Sequence, residues 1–280
     1  MQQIKQKFLD NLSESYNEKE ILSLFFQSVQ NVTGYSKPLI LANPAFSFSG
    51  EQERRLNAIL ARLQAMEPVQ YVLEECEFYG LSFYVNPSVL IPRPETEELV
   101  EWIISDYSGR SGNLLDIGAG SGCIAVAAGK SLESFSISAM DISAQALAVA
   151  KKNAERHNCR MQFIEADILK HDGIDFEEDF DVITSNPPYV TEHEKDRMSQ
   201  NVLEYEPHLA LFVPDNNPLV FYDAIALFGK RKLKAGGKLY FEINETLGED
   251  SVTLLDSLGY SDVTLRKDIF GRDRMVRAMR

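Results

Sequence analysis

Leu114-Leu115-Asp116-Ile117-Gly118-Ala119-Gly120-Ser121-Gly122 decides how this chain folds. Four residues of strand character run into three alternating glycines, and an Ala-rich helical stretch from Gly122 to Lys130 follows. A short apolar strand that turns through glycines into a helix is a building block of a parallel α/β sheet. In open sheets of this kind ligands bind outside the carboxyl ends of the strands. Glycine lets the backbone approach such a ligand with no Cβ in the way. A tight turn also uses glycine, but three in alternation favour a ligand loop.

Downstream of this loop the pattern repeats. Strands are expected at 136–141, 161–164, 180–184 and 238–243, with helices at 143–157, 219–233 and 248–258. Residues 262–266 and 274–278 read as a closing antiparallel pair. Strands alternating with helices predict a mostly parallel sheet covered on both faces. Upstream, Ile4, Phe8 and Leu12, then Ile21, Leu22, Phe25, Phe26 and Val29, recur at helical steps. Asn17 or Ser15 is placed to cap the second of these helices, and Gly34 followed by Pro38 ends it. Leu56, Ile59, Leu60 and Leu63 mark a further helix before Pro68. Aromatics around Gly80 suggest a β-hairpin, and Leu90-Ile91-Pro92-Arg93-Pro94-Glu95-Thr96-Glu97 is a stiff connection with Pro94 suited to a first helical turn. The expected division is a helical domain over 1–67, a β-hairpin linker over 68–93 and the sheet domain over 94–280.

Composition narrows the function. In 280 residues, 28 Lys and Arg stand against 42 Asp and Glu, a net charge of −14. That balance disfavours a broad grip on nucleic acid, which runs on basic side chains. The three cysteines, Cys76, Cys123 and Cys159, form no CxxC, and His157, His171 and His208 have no ligand spacing, so no metal site is expected. The polar N-terminus lacks a signal-type apolar core, and no apolar run approaches the roughly 18 residues that span a bilayer. A soluble, cytoplasmic protein is expected, with no membrane partner.

The ligand loop has two candidate occupants. A dinucleotide loop wants G-x-G-x-x-G, but position 123 is Cys. Asp116 before G-x-G-x-G suits a ligand with a cationic or zwitterionic end, and S-adenosylmethionine has an amino-acid group and a sulfonium. Asp141, 19 residues beyond Gly122, ends the next strand and can accept ribose hydroxyls from either occupant. Asp167 is placed for an adenine or is a solvated strand-end residue, and Ile168 is placed to pack on the adenine face. Asn186-Pro187-Pro188-Tyr189 follows the fourth strand. Its prolines stiffen the turn and remove two amide donors. An Asn oxygen beside a free Pro carbonyl makes an acceptor site for an NH2 group, and Tyr189 offers a flat face to a planar amide or base.

On these residues the sequence resembles the HemK/PrmC-type protein-(glutamine-N5) methyltransferases, which act on peptide chain release factors. The resemblance runs from about residue 68 to the end. It is carried by Pro68-Val69-Gln70-Tyr71-Val72, Phe78-Tyr79-Gly80, the Ile-Pro-Arg-Pro-Glu-Thr-Glu stretch, the glycine loop, Asn-Pro-Pro-Tyr, Glu204-Tyr205-Glu206-Pro207 and Gly271-Arg272-Asp273-Arg274. It implies a seven-stranded Rossmann-like S-adenosylmethionine-dependent domain, a small helical domain and a hairpin linker. It also implies S-adenosylhomocysteine as product and a class 1 release factor as partner. The cofactor set becomes Asp116, Gly118, Ala119, Gly120, Ser121, Gly122, Asp141, Asp167, Ile168 and Asn186. Asn186, Pro187, Pro188 and Tyr189 become the substrate residues, with Asn186, Pro187 and Tyr189 as the catalytic group. Two departures stand out: Ile168 where many relatives carry an aromatic, and Glu242-Ile243-Asn244-Glu245 where Glu-Ile-Gly is usual.

Rival readings share part of this evidence. A ribosomal-protein glutamine methyltransferase would use the same chemistry. A DNA adenine methyltransferase would present the same motif to a flipped base. The first 85 residues hold seven Lys and Arg against ten Asp and Glu, so no basic reader is evident there. The intact glycine loop and Asn-Pro-Pro-Tyr together argue against a non-catalytic adaptor. His193 follows Tyr189 closely, but its charged neighbours read as a solvated loop.

Overall fold

The computed structural model describes residues 1–43 and 46–280. Two compact units form: residues 1–75 with 200–205, and residues 76–199 with 206–280. The stretch 68–93, read from sequence as a linker, is divided between them.

The first unit is helical. Its helices are α1 (Gln2–Leu12), α2 (Glu18–Thr33), α3 (Lys37–Ala42), α4 (Gly50–Gln64) and α5 (Val69–Leu73). Capping boxes start two of them: Asn17 with Glu20 at α2 and Ser49 with Gln52 at α4. Such caps supply partners for amides that the helix itself leaves bare. Gly34, at φ 75°, ends α2 as its order before Pro38 predicts. The apolar stripes close on one core of Phe8, Leu12, Phe25, Val29, Leu56 and Leu63, all fully buried.

The second unit contains a hairpin, β1 (Cys76–Phe78) with β2 (Leu81–Phe83), and then α6 (Pro94–Tyr107). A seven-stranded sheet follows. Its strands are β3 (Gly112–Ile117), β4 (Phe135–Asp141), β5 (Met161–Glu165), β6 (Phe180–Ser185), β9 (Leu233–Glu242), β10 (Ser261–Lys267) and β11 (Asp273–Met279). The order is β10-β11-β9-β6-β3-β4-β5; the five strands from β9 to β5 are parallel and the last two are antiparallel. Helices α7 (Cys123–Ser131), α8 (Ala144–Arg156), α10 (Val220–Lys232) and α11 (Gly248–Ser257) connect the strands. Leu114 belongs to the core on one face and Leu115 to the core on the other. Burial on both sides is why Leu114 and Leu115 are both apolar rather than alternating with polar residues. This is the seven-stranded Rossmann-like sheet that the resemblance implies.

Topology places the site. The chain leaves β3 toward β4 and β5, then returns to the other side of β3 as β6. Ligands gather where strand order reverses in this way. In register, Ile117 pairs with Ser185 and Ser185 with Phe241. One step on, Gly118, Asn186 and Glu242 leave three adjacent strands side by side.

Some elements have no clear sequence signal. β9 begins five residues before the expected strand, and its register with β6 shifts near Gly236, whose φ is 76°. A two-residue parallel pair joins β7 (Val190–Thr191) to β8 (Phe212–Val213), and α9 (Gln200–Tyr205) joins the helical unit. Among the described residues no helix is long and apolar enough to cross a membrane, and no His, Cys, Asp and Glu cluster is fit to hold a metal.

Candidate active site

Three positive-φ glycines shape the loop after β3: Gly118 at 71°, Gly120 at 54° and Gly122 at 76°. The Gly118 and Ala119 amides both donate to the Met140 carbonyl, at 2.8 and 3.0 Å. The Gly120 amide donates to Asp141 Oδ2 at 2.9 Å, and the Ser143 amide donates to Asp141 Oδ1 at 2.9 Å. Asp141 therefore ties the glycine loop to the start of α8. A Cβ on Gly118 or Gly120 would meet nothing nearer than 4.0 Å, so backbone conformation, not crowding, calls for glycine there. At Gly122 a Cβ would also press on Ala150 Cβ at 3.1 Å. Ser121 is buried, and its carbonyl accepts from Asn153 Nδ2 at 2.9 Å.

Asp116 lies behind this loop, 1% exposed. Its Oδ2 accepts from the Ala125 amide at 3.3 Å, and its Oδ1 has no partner among the described residues. Burial pushes its carboxyl up to about 8. A buried carboxylate oxygen without a donor is costly unless something cationic or hydrogen-bonding reaches it. A cationic group reaching that oxygen would favour the ionised carboxylate, so the site fits a ligand that carries a positive end. Burial also raises the Asp141 carboxyl, against the amides that donate to it. Asp167 is engaged locally, accepting from the Leu169 amide at 3.0 Å and pairing with Lys170 at 3.1 Å. Ile168 is 8% exposed and packs in the core beside Leu115 and Met140.

The Asn-Pro-Pro-Tyr turn is held at both ends. Upstream, Ser185 Oγ donates to the Ile117 carbonyl at 2.6 Å, locking the ends of β6 and β3 together. Asn186 Nδ2 donates to Thr96 Oγ1 at 3.4 Å. Thr96 Oγ1 donates in turn to Glu242 Oε2 at 2.5 Å. The Tyr189 hydroxyl donates to the other Glu242 oxygen at 3.2 Å. Thr96, in the first turn of α6, is 2% exposed and Glu242, at the end of β9, is 1% exposed. Burial pushes the Glu242 carboxyl up, while Thr96, Arg274 and Tyr189 pull the other way. Burial, reinforced by Glu242, also pushes the Tyr189 phenol up, so it stays neutral. Asn244 Nδ2 reaches the Tyr189 carbonyl at 3.3 Å and Glu194 Oε1 at 3.2 Å. The unusual Asn after β9 therefore supports this turn.

Comparisons with known proteins identify the family. The methyltransferase small domain family matches residues 95–208. A release factor glutamine methyltransferase from Flavobacterium psychrophilum is 44% identical over 275 residues, covering 97% of this chain and 96% of that protein. One from Bacteroides thetaiotaomicron is 44% identical over 280 residues, covering all of both chains. The chain belongs to the release factor glutamine methyltransferase family. Solved structures show the same fold at low identity. A methyltransferase from Pyrococcus furiosus has a TM-score of 0.52 and 19% identity, covering 83% of this chain and 98% of that one. A T. thermophilus 16S rRNA methyltransferase, solved with AdoMet and guanosine, has a TM-score of 0.53 and 16% identity, covering 74% of this chain and 49% of that one.

Within this release factor glutamine methyltransferase family member, the other residues singled out from sequence make contacts of their own. Arg93 pairs with Glu206 at 2.6 Å, and the second Glu206 oxygen accepts from the Ile91 amide at 3.1 Å. That joins the Ile-Pro-Arg-Pro stretch to Glu-Tyr-Glu-Pro. Glu97 accepts from the Tyr79 amide at 2.9 Å and so fastens the hairpin to α6. His193 sits exposed on its loop, with its amide donating to Asp215 at 3.0 Å. Cys123 is buried at the start of α7, its thiol pushed up to about 12, which makes it no nucleophile. Thr96 and Glu242, which hold the Asn-Pro-Pro-Tyr turn, are the positions at this candidate site that sequence reasoning missed. The only signal was that each lies in a stretch singled out for another reason.

Proposed function

We propose that this methyltransferase moves a methyl group from S-adenosylmethionine to the side-chain amide nitrogen, N5, of the glutamine in the Gly-Gly-Gln motif of class 1 peptide chain release factors. S-adenosylhomocysteine is the product. The observation that carries this reading is the register that sets Asn186 beside the Gly118 turn, in a chain 44% identical to release factor glutamine methyltransferases. Asp116, Gly118 to Gly122, Asp141, Asp167, Ile168 and Asn186 form the cofactor side. Asn186, Pro187, Pro188 and Tyr189 form the substrate side.

An amide nitrogen is a poor nucleophile because its lone pair is delocalised into the carbonyl. When bound, S-adenosylmethionine supplies a methyl already activated on a sulfonium. The residues of this chain therefore act mainly by alignment. Asn186 Oδ1 and the Pro187 carbonyl accept the two amide hydrogens and so stabilise the positive charge that grows on nitrogen. Tyr189 sets the plane of the amide. As the carbon–nitrogen bond forms the carbon–sulfur bond breaks, and the methylated nitrogen, now strongly acidic, loses its proton to water. The neutral Tyr189 phenol need not act as a base.

The helical unit, read from sequence as residues 1–67, serves in this proposal to dock the release factor, with the hairpin region 68–93 leading to the catalytic domain. A net charge of −14 favours a basic protein partner over nucleic acid, and the reaction belongs to the cytoplasm. The test is to incubate the protein with labelled S-adenosylmethionine and, separately, release factor, ribosomal protein and DNA. Label on the Gly-Gly-Gln glutamine supports the proposal, and label only on DNA overturns it.

A further inference from the structure

A carboxamide has two ends of nearly the same shape and opposite hydrogen-bonding character. For Asn186 to accept from a substrate NH2 group, its oxygen must face that group. Turned over, it would set NH2 against NH2, and no hydrogen bond would form. The proposed role of Asn186 therefore needs something that fixes the sense of its amide, and the prolines that follow it do not do so.

We infer that Thr96 and Glu242 set that sense, as a positioning pair acting through the Asn186 amide. This rests on the reading that Asn186 Oδ1 accepts from the substrate. Thr96 has one hydroxyl hydrogen, and it goes to Glu242 Oε2 at 2.5 Å. An ionised Glu242 only accepts, and in that form it fixes the direction of this bond. Burial pushes the Glu242 carboxyl up, and the two donated hydroxyls and the nearby Arg274 guanidinium oppose that rise. Toward Asn186, Thr96 Oγ1 then offers lone pairs alone. Asn186 must turn its Nδ2 to Thr96, at 3.4 Å, which leaves Oδ1 directed away from it.

Both members of the pair are buried, so bulk water does not compete to reverse the chain of donors. Each has a firm mount. Thr96 stands in the first turn of α6, whose Trp102 meets Tyr240 of β9 edge to face at 5.8 Å. Glu242 ends β9 one register step beyond Phe241, the residue opposite Ser185. Because Tyr189 donates to the second Glu242 oxygen, one carboxylate orders both ends of the Asn-Pro-Pro-Tyr turn.

The test measures methylation of release factor by Thr96→Val, Thr96→Ser, Glu242→Gln, Asn186→Ala and the double variant Thr96→Val/Asn186→Ala, with S-adenosylmethionine affinity and melting curves alongside. Thr96→Val keeps the shape and removes the hydroxyl. Its kcat is expected to fall roughly tenfold to a hundredfold, the scale of leaving one polar group unpaired, with KM and cofactor affinity changed less than about threefold. Thr96→Ser should restore most of the rate. Glu242→Gln can present NH2 to Thr96 and reverse the donor chain; it should lose a similar factor in kcat while still folding. The double variant should be no slower than Asn186→Ala, because Thr96, whose hydroxyl accepts from Asn186, acts through it. A Thr96→Val enzyme with unchanged kcat, or a double variant whose losses multiply, would overturn the inference. So would a Thr96→Ser enzyme as slow as Thr96→Val. If Asn186→Ala itself keeps full turnover, it is the role proposed for Asn186 that fails. Should Thr96→Val not fold, the Thr96→Ser and Glu242→Gln rates decide: rescue in the first with loss in the second supports the pair, and any other combination rejects it.

Discussion

Asp141 accepts the Gly120 amide at 2.9 Å while its other oxygen accepts the Ser143 amide at 2.9 Å. One carboxylate thus fixes the glycine loop and the start of α8 together. We predict that Asp141→Ala weakens S-adenosylmethionine binding by tenfold or more, since a charge-assisted bond is worth about 1.5–3 kcal/mol. At saturating cofactor, kcat should change far less. Titration calorimetry beside steady-state rates checks the division, and a full-affinity Asp141→Ala protein would refute it.

Asp116 makes stability depend on pH in a stated direction. Its carboxyl is pushed up to about 8 in the folded protein by burial, against about 3.9 for an unfolded Asp. Between those values the folded state holds a proton that the unfolded state has lost. Stability from this group is therefore full below about pH 4 and declines as pH rises toward 8, by about 1.4 kcal/mol per pH unit. Asp116→Asn removes that dependence. Denaturant melts of the ligand-free protein from pH 5 to 7 should show the wild type losing stability more steeply than Asp116→Asn. Parallel slopes would contradict the buried, protonated carboxyl.

Asn186 is assigned to turnover more than to cofactor retention. Replacing it by Ala should cut kcat by a hundredfold or more, on the scale of losing one preorganised transition-state contact, and leave S-adenosylmethionine affinity within a few-fold. Comparable losses in both would remove the division between the substrate and cofactor sides of the site.

Gly122 joins a positive φ of 76° to close approach, since a Cβ would lie 3.1 Å from Ala150 Cβ. Gly122→Ala should cost about 1–3 kcal/mol for the backbone conformation alone. Gly118→Ala is strained by its φ of 71° but meets no crowding. Urea melts should rank Gly122→Ala as the less stable of the two, and the reverse order would show that α8 yields easily.

The sequence reveals local structure well and distant partnerships poorly. Residues 114–130 declare a strand, a turn and a helix because apolar run, alternating glycine and alanine each obey a short-range rule. Asn17, one of two caps offered for α2, is visible for the same reason. Asn186 and Tyr189 stand out because paired prolines are rare after a strand. The Thr96–Glu242 bond spans 146 positions, and nothing beside either residue announces that a Thr and a Glu will be buried together. Tyr205 is similar: its hydroxyl donates to the Ala65 carbonyl at 2.5 Å across 140 positions, which draws a six-residue helix into the helical unit. The β7–β8 pair is too short for a period of two to appear.

The register that brings Gly118, Asn186 and Glu242 out of adjacent strands has a consequence for biosynthesis. Thr96 is made early and Glu242 late, with the crossovers from β3 to β4, β4 to β5, β5 to β6 and β6 to β9 between them. A nascent or clipped chain that stops before β9 carries the glycine loop and Asn186 but lacks the strand that flanks β6. Such long-range closure is slow and cooperative. On the roles proposed here, catalytic competence therefore waits for β9, near the end of synthesis.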